Sequence, residues 1–176
     1  MNQAAKIHYM SGGKWKVPMV MRATLGATRR SAAQHSQSLH AWFCHIPGLK
    51  VVYAVHALRR RRDLLKTAIR DDNPVVFFED KMMYKLKGPV PTERYTIPLG
   101  VADVKRDGRR HHHRRDQQHG AGGAGRGEAA RRISDISAEV VDPRTLWPLD
   151  EKTLIESAKK DLAGNCGRTR VTSAMA

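Results

Sequence analysis

Apolar positions fall in short runs of strand length that alternate with stretches of helical spacing. Val17–Arg22 (Val-Pro-Met-Val-Met-Arg) is a run of the first kind. Ser38–Ile46 carries Leu39, Trp42, Phe43 and Ile46 at i, i+3, i+4 and i+7, which predicts a helix stopped by Pro47-Gly48. The β-branched Leu49–Tyr53 predicts a strand, and Leu64–Arg70 a helix ending before Asp71-Asp72-Asn73-Pro74. Val75–Phe78 is continuously apolar, the pattern of a strand buried on both faces. Lys81–Tyr95, with Gly88-Pro89 and Pro91, reads as an irregular connection. Val101–Lys105 and Ala138–Asp142 predict two more strands. Asp150–Lys160 predicts a helix whose acidic first turn and terminal Lys159-Lys160 suit the helix dipole. This alternation of strands and helices predicts an α/β fold with a mainly parallel sheet.

Charge divides the 176 residues unevenly. The net charge is +15, from 32 Lys+Arg against 17 Asp+Glu. Residues 53–63 carry +3, residues 108–132 carry +5 and the tail 161–176 carries +1, and these segments hold five of the nine histidines. Residues 108–132 contain no Val, Ile, Leu, Met, Phe, Trp or Tyr, so they have no face to bury and are expected to be disordered. No apolar run approaches the roughly 18–20 residues that cross a bilayer. The opening residues lack the apolar stretch of a secretory signal. Two cysteines, Cys44 and Cys166, make no disulfide framework, which is the expectation for the cytoplasm.

The basic segments contain motifs that fail on context. His111-His112-His113 with His119 lacks the spacing and supporting shell of a metal site. Gly120-Ala121-Gly122-Gly123-Ala124-Gly125 satisfies G-x-G-x-x-G but follows a polar Arg/Gln/His run where a dinucleotide fingerprint follows a strand. The arginine runs attract phosphate nonspecifically and carry no interleaved aromatics for base stacking, so no specific nucleic-acid partner is expected. Cys44, within an apolar helix, is expected to be a core residue. His35, in Ala33-Gln34-His35-Ser36-Gln37-Ser38, reads from composition as a loop histidine. Asp71-Asp72-Asn73 reads as a helix end with simple capping.

Four ordered blocks carry a family resemblance. They are Asn2–Lys50, Thr67–Phe78 (Thr-Ala-Ile-Arg-Asp-Asp-Asn-Pro-Val-Val-Phe-Phe), Tyr95–Gly100 and Ser137–Asp150. Together they resemble the beta subunit of the thiamine-dependent decarboxylating component of 2-oxo acid dehydrogenase complexes, the type shared by pyruvate, branched-chain and acetoin enzymes. The resemblance implies a transketolase-like α/β fold. It places an incomplete pyrimidine-binding domain at residues 1–92 and the start of a transketolase C-terminal domain at 93–176. It also implies oxidative decarboxylation of a 2-oxo acid, pyruvate foremost, with acyl transfer to lipoamide. The implied cofactors are thiamine diphosphate, with magnesium held mainly by an alpha subunit, and potassium. The implied partners are that alpha subunit, in a heterotetramer, and a lipoyl acyltransferase core, with no membrane. His35 matches the family's catalytic histidine, whose imidazole manages a proton at the substrate oxygen. Met19, Ala68, Ile69, Asp71 and Asn73 match positions that coordinate potassium through hard oxygens. The glutamate that activates the cofactor in the family comes from a segment upstream of Met1. That segment also carries most of the subunit's cofactor contacts, so no cofactor-binding residue is expected from Met1 onward.

The three basic segments stand where the family has ordinary strand, loop and helix. With a permitted choice of synonymous codons, Ala54–Arg62 read one base later becomes Pro-Ser-Thr-Pro-Tyr-Asp-Ala-Glu-Gly. His111–Ala124 becomes Thr-Ile-Ile-Ala-Ala-Thr-Ser-Ser-Met-Val-Gln-Val-Ala-Leu, a strand, turn and helix, and Asp161–Gly167 becomes Thr-Ser-Arg-Ala-Ile-Val-Val. Frame slips are therefore the expected origin of these segments. Without the upstream segment the chain as written is expected to be inactive, even with an alpha subunit, although its family is enzymatic. The alternative function is that of an inactive degenerate fragment that binds acidic polymers incidentally.

Overall fold

The computed structural model describes residues 1–27, 31–54, 58–88, 96–108, 110–113 and 138–164. Its centre is a four-stranded sheet built from β1 (Val20–Leu25), β2 (Lys50–Ala54), β3 (Val75–Asp80) and β7 (Thr145–Trp147), in the order β1-β3-β2-β7. β3 pairs in parallel with both β1 and β2, and β7 closes the far edge antiparallel to β2. All six residues of β3 are buried, as its unbroken apolar run predicts for a strand covered on both faces. Alternate β3 side chains feed two cores. Val75 and Phe77 join Val52, Ala54, Ile97 and the helix residues Leu64 and Ala68. Val76 and Phe78 join Val51, Leu49, Leu25 and Ala5.

The helices follow from what covers those faces. α1 (Asn2–Met10) and the short α2 (His40–Cys44) flank the second core. Phe43 meets Phe78 edge-on at 5.1 Å between centroids, the geometry that aromatic quadrupoles favour. α3 (Leu58–Ile69) links β2 to β3 and covers the first core. Within it Asp63 is fully buried and takes Arg62 at 3.1 Å and Lys66 at 3.2 Å.

A second sheet, in the order β4-β6-β5, comprises β4 (Asp103–Arg106), β5 (Arg110–His113) and β6 (Ala138–Asp142). β5 runs parallel to β6 and β4 antiparallel. α4 (Glu151–Gly164) is capped by Asp150, whose carboxylate accepts from the Thr153 amide at 3.1 Å and hydroxyl at 2.7 Å. Ser157 of α4 donates to the buried Glu139 of β6 at 2.5 Å, which ties helix to sheet.

Several sequence expectations need correction. The first strand lies at Val20–Leu25, three residues beyond the predicted Val17–Arg22. Pro18 has no amide for a ladder, and Val17 donates instead to the Asp72 carbonyl at 2.9 Å. The predicted helix Ser38–Ile46 shrinks to five residues. Only part of its apolar stripe packs: Phe43, Cys44 and Ile46 reach the core, while Leu39 and Trp42 are exposed. α3 begins six residues before the predicted Leu64, because arginine propagates a helix well. Within the 108–132 segment expected to be disordered, Arg110–His113 form a strand, since pairing with β6 needs only backbone. Residues 114–132 lie outside the described residues, as do the glycine motif, His119 and the tail from 165.

Candidate functional site

The three parallel strands finish together, Leu25 opposite Asp80 and Ala54 opposite Glu79. The connections leaving β1 and β3 converge on this carboxyl edge, where open α/β sheets carry their ligand sites. His35 lies here, exposed, as the last residue of a 3-10 turn over Ala33–His35. Ala32, just before the turn, holds φ 63°, a left-handed conformation costly for a residue with a Cβ. The Ser36 hydroxyl donates to the Ala32 carbonyl at 2.8 Å, and Gly26 donates to Gln37 at 3.0 Å, fastening the loop to the end of β1.

Two carboxylates that the sequence reading passed over organise the end of β3. Glu79 and Asp80 are each 1% exposed. Glu79 accepts from Arg22 of β1 at 2.7 Å and from the Tyr84 hydroxyl at 2.5 Å. Its hydrogen bond and charge hold Arg22 protonated above even the usual guanidinium range. Asp80 accepts from Tyr53 of β2 at 3.2 Å and from the Met82 amide at 2.7 Å, which caps a 3-10 turn over Lys81–Lys85. His40 stacks on Tyr53 at 5.8 Å, and burial pushes its imidazole below the ordinary histidine value. Glu79 and Asp80 were legible only as two acids ending an apolar run, a place where unpaired charge would be prohibitive.

The predicted cation ligands lie at the opposite end of the same strands. Met19 precedes β1, while Ala68, Ile69, Asp71 and Asn73 span the turn from α3 into β3. Val75 donates to the Met19 carbonyl at 2.8 Å, which brings these segments side by side. Asp71 accepts from Lys50 at 2.6 Å and from the Asn73 amide and side chain, both at 2.9 Å. Burial works against the Asp71 carboxylate, yet these hydrogen bonds outweigh it and leave its pKa below the ordinary range. The carbonyls of Met19 and Ala68 each accept one backbone amide and keep a second lone pair. A donor set made wholly of oxygen fits a hard monovalent cation. The six residues of β3 put roughly 20 Å between this turn and His35, so a cation bound at this turn would be structural.

The described residues do not fit thiamine diphosphate by themselves. At the carboxyl edge Asp80 holds Tyr53 and the Met82 amide, and Glu79 holds Arg22 and Tyr84 through Oε2 alone. Among the described residues no group of three His, Cys, Asp or Glu is placed to hold a metal ion. Among them, too, no helix is long and apolar enough to cross a membrane. Cys44 is half-buried, packed at the margin of the second core, and burial raises its thiol pKa.

Comparison with known proteins matches residues 1–87 to the transketolase pyrimidine-binding domain and residues 127–163 to the transketolase C-terminal domain. The acetoin:2,6-dichlorophenolindophenol oxidoreductase subunit beta of Bacillus subtilis is 48% identical over 161 residues, covering 90% of this chain and 46% of that protein. The pyruvate dehydrogenase E1 component subunit beta of Rickettsia conorii is 45% identical over 161 residues, with shares of 90% and 48%. The 2-oxoisovalerate dehydrogenase subunit beta of Bacillus subtilis is 43% identical over 162 residues, again 90% and 48%. The chain thus spans about half the length of these relatives. A solved structure described as a split gene transketolase, inactive beta4 tetramer, superposes with TM-score 0.60 at 21% identity, over 89% of this chain and 51% of that one, and it shows the shared fold.

Proposed function

Since this chain belongs to the transketolase-like family, among the beta subunits of 2-oxo acid dehydrogenase type, we propose that it serves oxidative decarboxylation of a 2-oxo acid, with pyruvate as substrate. The observation that supports this most directly is His35, exposed on a fastened turn at the carboxyl edge of the parallel strands. Thiamine diphosphate supplies the electron sink when bound, and the residues that hold it, with magnesium, lie outside those described, mainly on an alpha subunit. What this chain contributes is proton management. His35, the imidazole at the carboxyl edge, gives a proton to a substrate oxygen or takes one. Potassium, held by Met19, Ala68, Ile69, Asp71 and Asn73, fixes the turn into β3.

The partners follow from the subunit type: an alpha chain in a heterotetramer, and a lipoyl acyltransferase core that receives the acyl group. We propose the cytoplasm as its compartment, a reading that the low cysteine content supports. A second reading, acetoin as substrate, is favoured by identities of 48% and 47% to two acetoin oxidoreductase beta subunits.

The test is turnover of the subunit at the full length of its relatives, with the three basic segments restored to the family's frame, assembled with its alpha partner and assayed separately on pyruvate and on acetoin. His35→Ala is expected to lower turnover by about 10²–10⁴-fold, the usual contribution of a positioned acid–base group. Undiminished turnover in that variant removes the assignment, and turnover on acetoin alone transfers it to the second reading.

A further inference from the structure

His35 projects from a loop, and a loop by itself does not hold an imidazole to the tolerance that proton transfer requires. The geometry points to Lys81 as the positioning residue that supplies the missing constraint. Its ammonium donates to the backbone carbonyl of His35 at 2.5 Å, across 46 positions of sequence. The contact lands on the backbone of the reacting residue and leaves its side chain unengaged.

The base of this arm is buried and tied to both neighbouring strands. Lys81 follows directly on Glu79 and Asp80, which clamp the end of β3 to β1 through Arg22 and to β2 through Tyr53. Asp80 also caps the turn that Lys81 opens, by accepting from the Met82 amide. Four flexible methylenes then span from a rigid strand end to the loop, and an ammonium on a carbonyl makes a charge-assisted hydrogen bond, stronger than a neutral one. The loop needs such an anchor because Ala32 is held at φ 63°, and a strained backbone persists only where its surroundings impose it. The Ser36 hydroxyl fastens the front of the turn to Ala32, and Lys81 fastens its last residue to the sheet. The buried carboxylates thus act on the imidazole through one lysine.

This inference rests on the acid–base reading of His35, and its test separates the two. In the first arm, amide exchange is measured on the 176-residue chain and its Lys81→Met and Lys81→Arg variants. Lys81→Met should speed exchange over residues 33–37 by about tenfold or more, as loss of a hydrogen bond to a charged group implies, while Val75–Phe78 stays unchanged. Lys81→Arg, which keeps a cationic donor, should restore the slow rate. Unchanged loop exchange in Lys81→Met overturns the tie, whatever His35 does. In the second arm, the same full-length, restored subunit assembled with its alpha partner should lose turnover number in Lys81→Met at nearly constant KM, with recovery in Lys81→Arg. A loosened loop with full turnover overturns positioning. Full turnover in His35→Ala sinks the catalytic reading while leaving the exchange result standing.

Discussion

Asp71 and His40 show how single residues set the pH response of this chain. Burial opposes the charge on Asp71, yet Lys50 and Asn73 hold its carboxylate below the ordinary pKa. Its contribution is therefore complete above the unfolded value of about 3.9, and it is lost as pH falls through the folded value. His40 is the opposite kind of group, a half-buried imidazole whose burial disfavours its charged form. Once pH drops below about 6.5 the unfolded chain takes that proton first, so stability declines earlier, in mildly acid solution. Urea unfolding at pH 7, 5 and 3 is expected to show both losses. His40→Phe should flatten the decline between pH 7 and 5. Asp71→Asn should lower stability at pH 7 by about 1–3 kcal/mol and flatten the decline below pH 4. A decline identical to the parent's in either variant would refute the corresponding assignment.

Among the elements, the turn from α3 into β3 carries the most consequence, because β3 is the strand on which both cores are built. A cation bound there stabilises the folded chain by mass action, by about 2.7 kcal/mol at a hundred times its dissociation constant. Exchanging potassium chloride for choline chloride at equal ionic strength should lower the melting temperature, and Asn73→Ala should abolish that difference. A melting temperature indifferent to the cation would remove the site. The neighbouring entry to β2 is rigid for a different reason. Gly48 has φ 98°, and a Cβ there would run into the Ala5 carbonyl of α1. Only glycine admits both the conformation and the close approach of that helix.

The whole molecule exposes more apolar surface than its compact sheet needs. Tyr9 is 86% exposed, Met10 79%, Trp15 68% and Trp42 59%. Such side chains favour a partner surface, which agrees with a subunit that spans about half the length of its relatives. Without partners the chain is expected to self-associate at micromolar concentration. Sedimentation velocity over a hundredfold range of concentration checks this, and a single monomeric species throughout would count against a buried interface.

Local pattern was sufficient where one face of a segment decides its fate. Val75–Phe78 announces a doubly covered strand because no polar residue interrupts it, and Ala138–Asp142 coincides with β6. His35 and the turn at Asp71 could be singled out from motif and resemblance, and their loops fall at opposite ends of the parallel strands. Other features depended on contacts that no short window contains. α1 shows little apolar periodicity and buries Ala5 alone, so its place comes from packing on the second core. β7 is three residues long and exists through pairing with β2. Arg110–His113, polar throughout, became a strand because β6 offered its backbone a ladder. Lys81 reaches His35 across 46 residues, a contact set by the common ending of two strands. Periodicity records which face of an element meets the core, and it determined the alternating α/β plan; which edges pair and which side chains meet across strands is set by the distances that folding closes, and those only the tertiary structure decided.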